Sequence, residues 1–159
     1  MRSFLALLFF SSGLAMAAGD CSKSDPAAFA REFFQQHRDF YFQQTRGLAG
    51  YVTPALMQAL KRHYRCAERE GLCHLDYDPW LGAQDGEMRG AASFAATPDS
   101  QGGSRVSMAF DFELDPGQPA EKRQVILELE AGAAPRCWRV RDLITPLGDS
   151  LASRYRGRP

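Results

Sequence analysis

The 159-residue chain carries no net charge, with 19 Lys and Arg against 19 Asp and Glu. Neutrality removes any global attraction to nucleic acid or to an anionic membrane. Histidine is scarce, at three residues. No Gly-x-Ser-x-Gly, phosphate-binding glycine loop or His-Glu-x-x-His is present, so the common hydrolase, nucleotide and metalloprotease signatures are excluded. There is no internal repeat, low-complexity tract or linker. Outside the first residues, no run approaches the roughly 20 apolar residues of a membrane-spanning helix. With 45% hydrophobic, 11% aromatic and 24% charged residues, the chain fits one folded domain and not a disordered segment.

Residues 1–17 read as a secretory leader. Arg2 supplies the positive start, Phe4 to Phe10 the short apolar stretch, and Ala15-Met16-Ala17 the small-x-small cleavage pattern. Cleavage after Ala17 removes only Arg2 among the charged residues and leaves a single α+β domain over residues 18–159. The expected location is therefore periplasmic or secreted, with no membrane insertion after cleavage.

All four cysteines follow the cleavage site, and an even count in an exported chain points to two disulfides. Seven residues of helix separate Cα atoms by about 10.5 Å. A disulfide tolerates about 7 Å at most. Cys66 and Cys73 can pair only if the helix ends between them, and Gly71 is placed to end it. That pairing leaves Cys21 for Cys137. A zinc site would need closely spaced Cys/His pairs, and only Cys73 and His74 are adjacent in sequence. No metal and no cofactor are expected.

Asp25-Pro26 and Thr53-Pro54 each combine an N-cap with proline at the first helical position. Phe29, Phe33, His37 and Phe40 follow the first at helical spacing. Leu56, Leu60, Tyr64 and Ala67 follow the second, with Met57 and His63 beside them. From Glu87 the period becomes two. Val106, Met108, Phe110, Phe112 and Leu114 alternate with Ser107, Ala109, Asp111 and Glu113. Val125, Leu127 and Leu129 alternate with Glu128 and Glu130, and Trp138, Val140 and Ile144 with Arg139 and Arg141. Met88, Ala92 and Phe94 mark a weaker first strand. Gly102-Gly103, Asp115-Pro116-Gly117, and Gly132 with Pro135 make the connections short. The expected fold is α+β: N-terminal helices packed on one face of a curved antiparallel sheet of four or more strands. A short terminal helix begins at Asp149 or Ser150.

The run Leu75-Asp76-Tyr77-Asp78-Pro79-Trp80-Leu81-Gly82-Ala83-Gln84-Asp85 resembles the signature of a bacterial exported family, Domain of Unknown Function 3828. Trp138-Arg139-Val140-Arg141-Asp142-Leu143-Ile144 is similar to that family's closing strand, and the resemblance spans about residues 26–155. It implies a nuclear-transport-factor-2-like cone with a pocket, and no activity. The chain departs from the pattern at Gly86, where the family carries a bulkier residue.

Two candidate sites follow. Asp76, Asp78, Gln84 and Asp85 beside Trp80 form an acidic loop, read as a binding rim or as turn caps. As a calcium loop it begins well with Asp76-x-Asp78, but Trp80 takes the next alternating position and no glycine stands at loop position six. Asp142, by strict alternation, faces the apolar side with Trp138, Val140 and Ile144. There it would be hydrogen-bonded, paired or an acid/base; a β-bulge would turn it outward instead. His37 and His63 read as core residues and His74 as an exposed one. Arg139 and Arg141 read as cross-strand partners of the acidic residues, and Arg154 to Arg158 as a solvated tail. The leading expectation is a non-enzymatic exported binding domain, monomeric or dimeric, for a small molecule or a protein, one option being an inhibitor of a secreted toxin. The alternative is a small hydrolase or isomerase using Asp142.

Overall fold

The period-two pattern from residue 104 onward sets the frame. In the computed structural model, which describes Cys21 and residues 24–133 and 136–157, four strands form a meander in the order β1-β2-β3-β4. They are β1 (Glu87–Pro98), β2 (Ser104–Glu113), β3 (Glu121–Ala131) and β4 (Trp138–Ile144), and all neighbouring pairs are antiparallel. The leader assigned to residues 1–17, together with Pro135 and Arg158, lies outside the described residues.

One face of the sheet is built from Val106, Met108, Phe110 and Phe112 with Val125, Leu127, Leu129, Val140 and Leu143, all buried. Two helices cover it. Asp25 caps α1 (Pro26–His37) by accepting the Ala27 N–H at 2.8 Å. Thr53 caps α2 (Pro54–Glu70) by accepting the Leu56 N–H at 3.2 Å. Proline at the start of each sacrifices no bond, because the first helical N–H groups have no partner within the helix. The expected stripe of α1 is the buried one: Phe29, Phe33 and His37, with Phe40 just beyond the helix end.

The segment before α2 docks on the free edge of β4. The Thr53 N–H donates to the Val140 carbonyl at 2.9 Å, and the Val140 N–H to Tyr51 at 2.8 Å. After β4, α3 (Leu151–Arg154) is capped by Ser150, whose hydroxyl accepts the Ser153 N–H. Both expected disulfides form, Cys66–Cys73 and Cys21–Cys137, with Cα separations of 5.9 and 5.3 Å.

Three details depart from strict alternation. Leu114 lies beyond β2 and is exposed, while Glu113 is buried and accepts the Gly117 N–H of the following turn at 2.7 Å. In β1 the register shifts between Arg89 and Ser93, where Gly90 has a φ of 72°. In β4 the register shifts because Leu129 pairs with Val140 but Glu128 pairs with Asp142, leaving Arg141 as the extra residue of a bulge. Directly opposed residues share a face. Leu143, opposite Leu127, therefore takes the inward place that alternation gave to Ile144, and Asp142 joins Glu128 on the other face.

Among the described residues, no helix is long and apolar enough to cross a membrane.

Candidate functional site

The C-terminal end of α2 and the loop that follows build a groove. Gly71, with a φ of 80°, ends the helix and returns its N–H to the Ala67 carbonyl at 2.8 Å. That turn brings Cys73 back beside Cys66. The chain then runs through the acidic loop. Asp78 folds it locally: its Oδ1 accepts the Trp80 N–H at 2.7 Å, and its backbone N–H donates to the Ala83 carbonyl at 2.9 Å. Trp80 is fully buried and its indole N–H donates to the Arg38 carbonyl at 2.7 Å. Around it pack Phe33, Phe34 and Phe40, with ring centroids 5.0–6.2 Å away. Trp80 thus belongs to the core and anchors the loop; it is not an exposed binding residue.

At the loop exit, Gly86 has a φ of 99°, and a Cβ there would stand 2.5 Å from the Phe112 ring and 2.8 Å from the Glu113 carbonyl. Only glycine fits this position. Glycine at position 86 is therefore a packing requirement of this chain.

The resulting groove encloses about 550 Å³. Its lining includes Arg38, Tyr41 and Phe42 together with His63, Leu72, Cys73 and Leu75. Asp76, Asp78 and Gln84 of the acidic loop and the fully buried Tyr155 also belong to the lining. The structure therefore brings three of the five expected loop residues to one concavity. Asp85 is exposed outside it. Asp76 is held by the Gln84 amide, which donates to its Oδ2 at 3.2 Å. Phe42 and Leu72 are 73% and 66% exposed at the mouth, an arrangement that leaves apolar surface in water.

The groove is chemically mixed. Burial, followed by the Asp78 charge, pushes the Tyr41 phenol up; burial does the same for Tyr155. Both are neutral hydrogen-bonding groups at physiological pH. Burial lowers the pKa of His63, and the neighbouring His74 lowers it further. The Tyr155 ring stacks on His63 at 4.2 Å between centroids. Its hydroxyl is buried with no hydrogen-bond partner among the described residues. The described residues hold two other such side-chain atoms, Nε2 of His37 and Nε of Arg139, neither of which belongs to a residue lining this groove.

Asp142 sits elsewhere. The bulge at Arg141 corrects the expectation that it faces the apolar side. It points from the opposite face and is covered by α3, at 8% exposure. Its Oδ1 accepts the Leu143 and Ala152 N–H groups, each at 2.8 Å, and its Oδ2 accepts the Ser150 hydroxyl. Burial raises its pKa despite these bonds. The carboxylate ties β4 to the start of α3.

The other polar expectations divide. His37 and His63 are buried as expected, and the His37 Nδ1 meets the Thr45 hydroxyl at 2.6 Å. His74 is half-buried against His63 instead of exposed. Arg141 pairs with Glu128 at 3.1 Å, as cross-strand pairing predicted, and also with Asp99 at 2.9 Å. Arg154 is exposed, as expected of a solvated residue, and pairs with Asp149 at 2.6 Å. The groove residues Tyr41, Phe42, Leu72 and Tyr155 escaped the sequence reading. Their only signal was aromatic or apolar residues at helix ends, where packing cannot be read from periodicity.

Compared with protein-family models, curated proteins and solved structures, the chain matches none.

Proposed function

We propose that the protein is an exported, periplasmic, non-enzymatic binding domain whose ligand is a small organic molecule held in the groove beneath Asp76 and Asp78. The observation that carries this reading is Tyr155, a residue that lines the groove and whose buried hydroxyl has no hydrogen-bond partner among the described residues. An unpaired buried hydroxyl costs about 1–3 kcal/mol, which a ligand offering an acceptor would recover. Exposed Phe42 and Leu72 at the mouth favour a ligand with an apolar or aromatic body. The leader-like residues 1–17 and the two disulfides support export. The loop resemblance supports a nuclear-transport-factor-2-like cone and kinship with Domain of Unknown Function 3828. The acid/base role considered for Asp142 is not carried forward, because both of its oxygens hold α3 in place.

The test is a screen of ¹⁵N-labelled protein against phenols, indoles and aromatic carboxylates. Perturbed amides are expected to cluster at residues 38–42, 71–78 and 155. Perturbations clustering on the outer sheet face, or absent for every compound, would refute the reading. A protein partner, such as a secreted toxin, would instead broaden signals across the rim without a small-molecule response.

A further inference from the structure

Behind the groove wall, three potential metal donors gather, and a fourth, His63, stands beside one of them. The Sγ atoms of Cys66 and Cys73 and a ring nitrogen of His74 lie within 4.8 Å of one another. The Nδ1 atoms of His63 and His74 are 3.2 Å apart. In sequence the set reads His63-x₂-Cys66-x₆-Cys73-His74, a pattern hidden from sequence reading because Gly71 reverses the chain in its middle.

We propose that reducing the Cys66–Cys73 disulfide converts this cluster into a Zn²⁺ site with two thiolate and two imidazole ligands. The dimensions suit it. A tetrahedral zinc with bonds of about 2.3 Å to sulfur and about 2.0–2.1 Å to nitrogen places its nitrogens about 3.3 Å and its sulfurs about 3.8 Å apart. The two imidazole nitrogens already stand at that spacing, and breaking the S–S bond frees the sulfurs to reach theirs. His74 has a φ of 68°, the one positive value at a non-glycine residue among the described residues. Such a conformation costs free energy and persists where surrounding structure imposes it. Here it holds the His74 ring against His63.

The disulfide closes a short loop, so its chain-entropy stabilisation lies at the low end for such bonds, at a helix end that Gly71 already terminates. Cys73 and His63 border the groove, which gives solvent and reductant a path to the cluster. The step balances. A protein dithiol of the thioredoxin-like class transfers two electrons and two protons to the disulfide, becoming a disulfide itself. Zn²⁺ then binds both sulfurs and displaces the two thiol protons.

The test uses Co²⁺ as a spectroscopic substitute for zinc. The exported protein is reduced with a phosphine, which is then removed under nitrogen before the titration. The expected result is one Co²⁺ per chain, with thiolate-to-cobalt charge transfer and tetrahedral ligand-field bands. His74→Ala and His63→Ala should each weaken binding at least tenfold, and the double variant Cys66→Ser/Cys73→Ser should abolish the bands. If the reduced chain has lost its near-ultraviolet circular dichroism, the same titration should restore it. The proposal is overturned by reduced protein that shows no bands. It is equally overturned by bands that both histidine variants leave unchanged, or by a lost fold that metal does not restore.

Discussion

Two buried polar side chains sit under α3 and its flanks, and they have opposite surroundings. Asp142 accepts three hydrogen bonds from the chain around it. The Tyr155 hydroxyl has none among the described residues. Burial raises the pKa of both, so a perturbed pKa does not separate them. Satisfaction does. A buried group whose partners are all structural is part of the architecture, and an unpaired buried group on a residue that lines a groove is the one a ligand would satisfy.

The largest effects should come from the architectural side. Trp80→Ala removes the anchor of the acidic loop and should destabilise by about 3–5 kcal/mol in chemical denaturation. It should also abolish any groove binding, because the rim loses its seat. Asp142→Ala strands the Leu143 and Ala152 N–H groups and should cost about 2–3 kcal/mol. Asp142→Asn, whose amide oxygen can still accept both, should stay within about 1 kcal/mol of the parent. An equal loss for both variants would show that charge, not geometry, holds α3.

Acidification comes next in size. Burial lowers the pKa of His37 and His63. Their neutral forms are favoured in the fold, so the unfolded chain binds more protons below pH about 6.5. Stability is then present above that pH and is lost as pH falls, by at most about 1.4 kcal/mol per pH unit for each histidine. Asp142 works in the opposite sense, since its raised folded pKa favours acid as pH falls toward the carboxylate range. Melting temperatures between pH 7.5 and 5 should therefore decline, and His63→Gln should flatten the decline. A profile that His63→Gln leaves unchanged would remove His63 from the account. Smallest of all, Asp76→Asn at the exposed rim should shift stability by less than about 0.5 kcal/mol, and thermal melts can check it.

Much of the scaffold was legible in the sequence, because each signal was local. Asp25-Pro26 and Thr53-Pro54 start helices wherever they occur in such a context, and the spacing of Phe29, Phe33 and His37 names the buried face. The helix-pitch argument that excludes pairing within a continuous helix selects Cys66–Cys73 once Gly71 breaks it. What escaped was non-local. Alternation assigned Asp142 to the wrong face because a single extra residue, Arg141, inverts every position after it. The acidic loop was located, but its inner member Trp80 was mistaken for rim because an aromatic residue in a loop gives no sign of the cavity it fills. The groove joins α2, the loop and Tyr155, and its existence depends on α3 folding back over seventy residues later.

The most direct test pairs two variants in one experiment, measuring unfolding free energy and the affinity of the best aromatic compound from the screen. Tyr155→Phe should keep or slightly raise stability and weaken binding about tenfold, the loss of one hydrogen bond. Asp142→Ala should lose stability and, at a temperature where it remains folded, bind like the parent. Binding that survives Tyr155→Phe but fails in folded Asp142→Ala would contradict the account and move the site to the other face of the sheet.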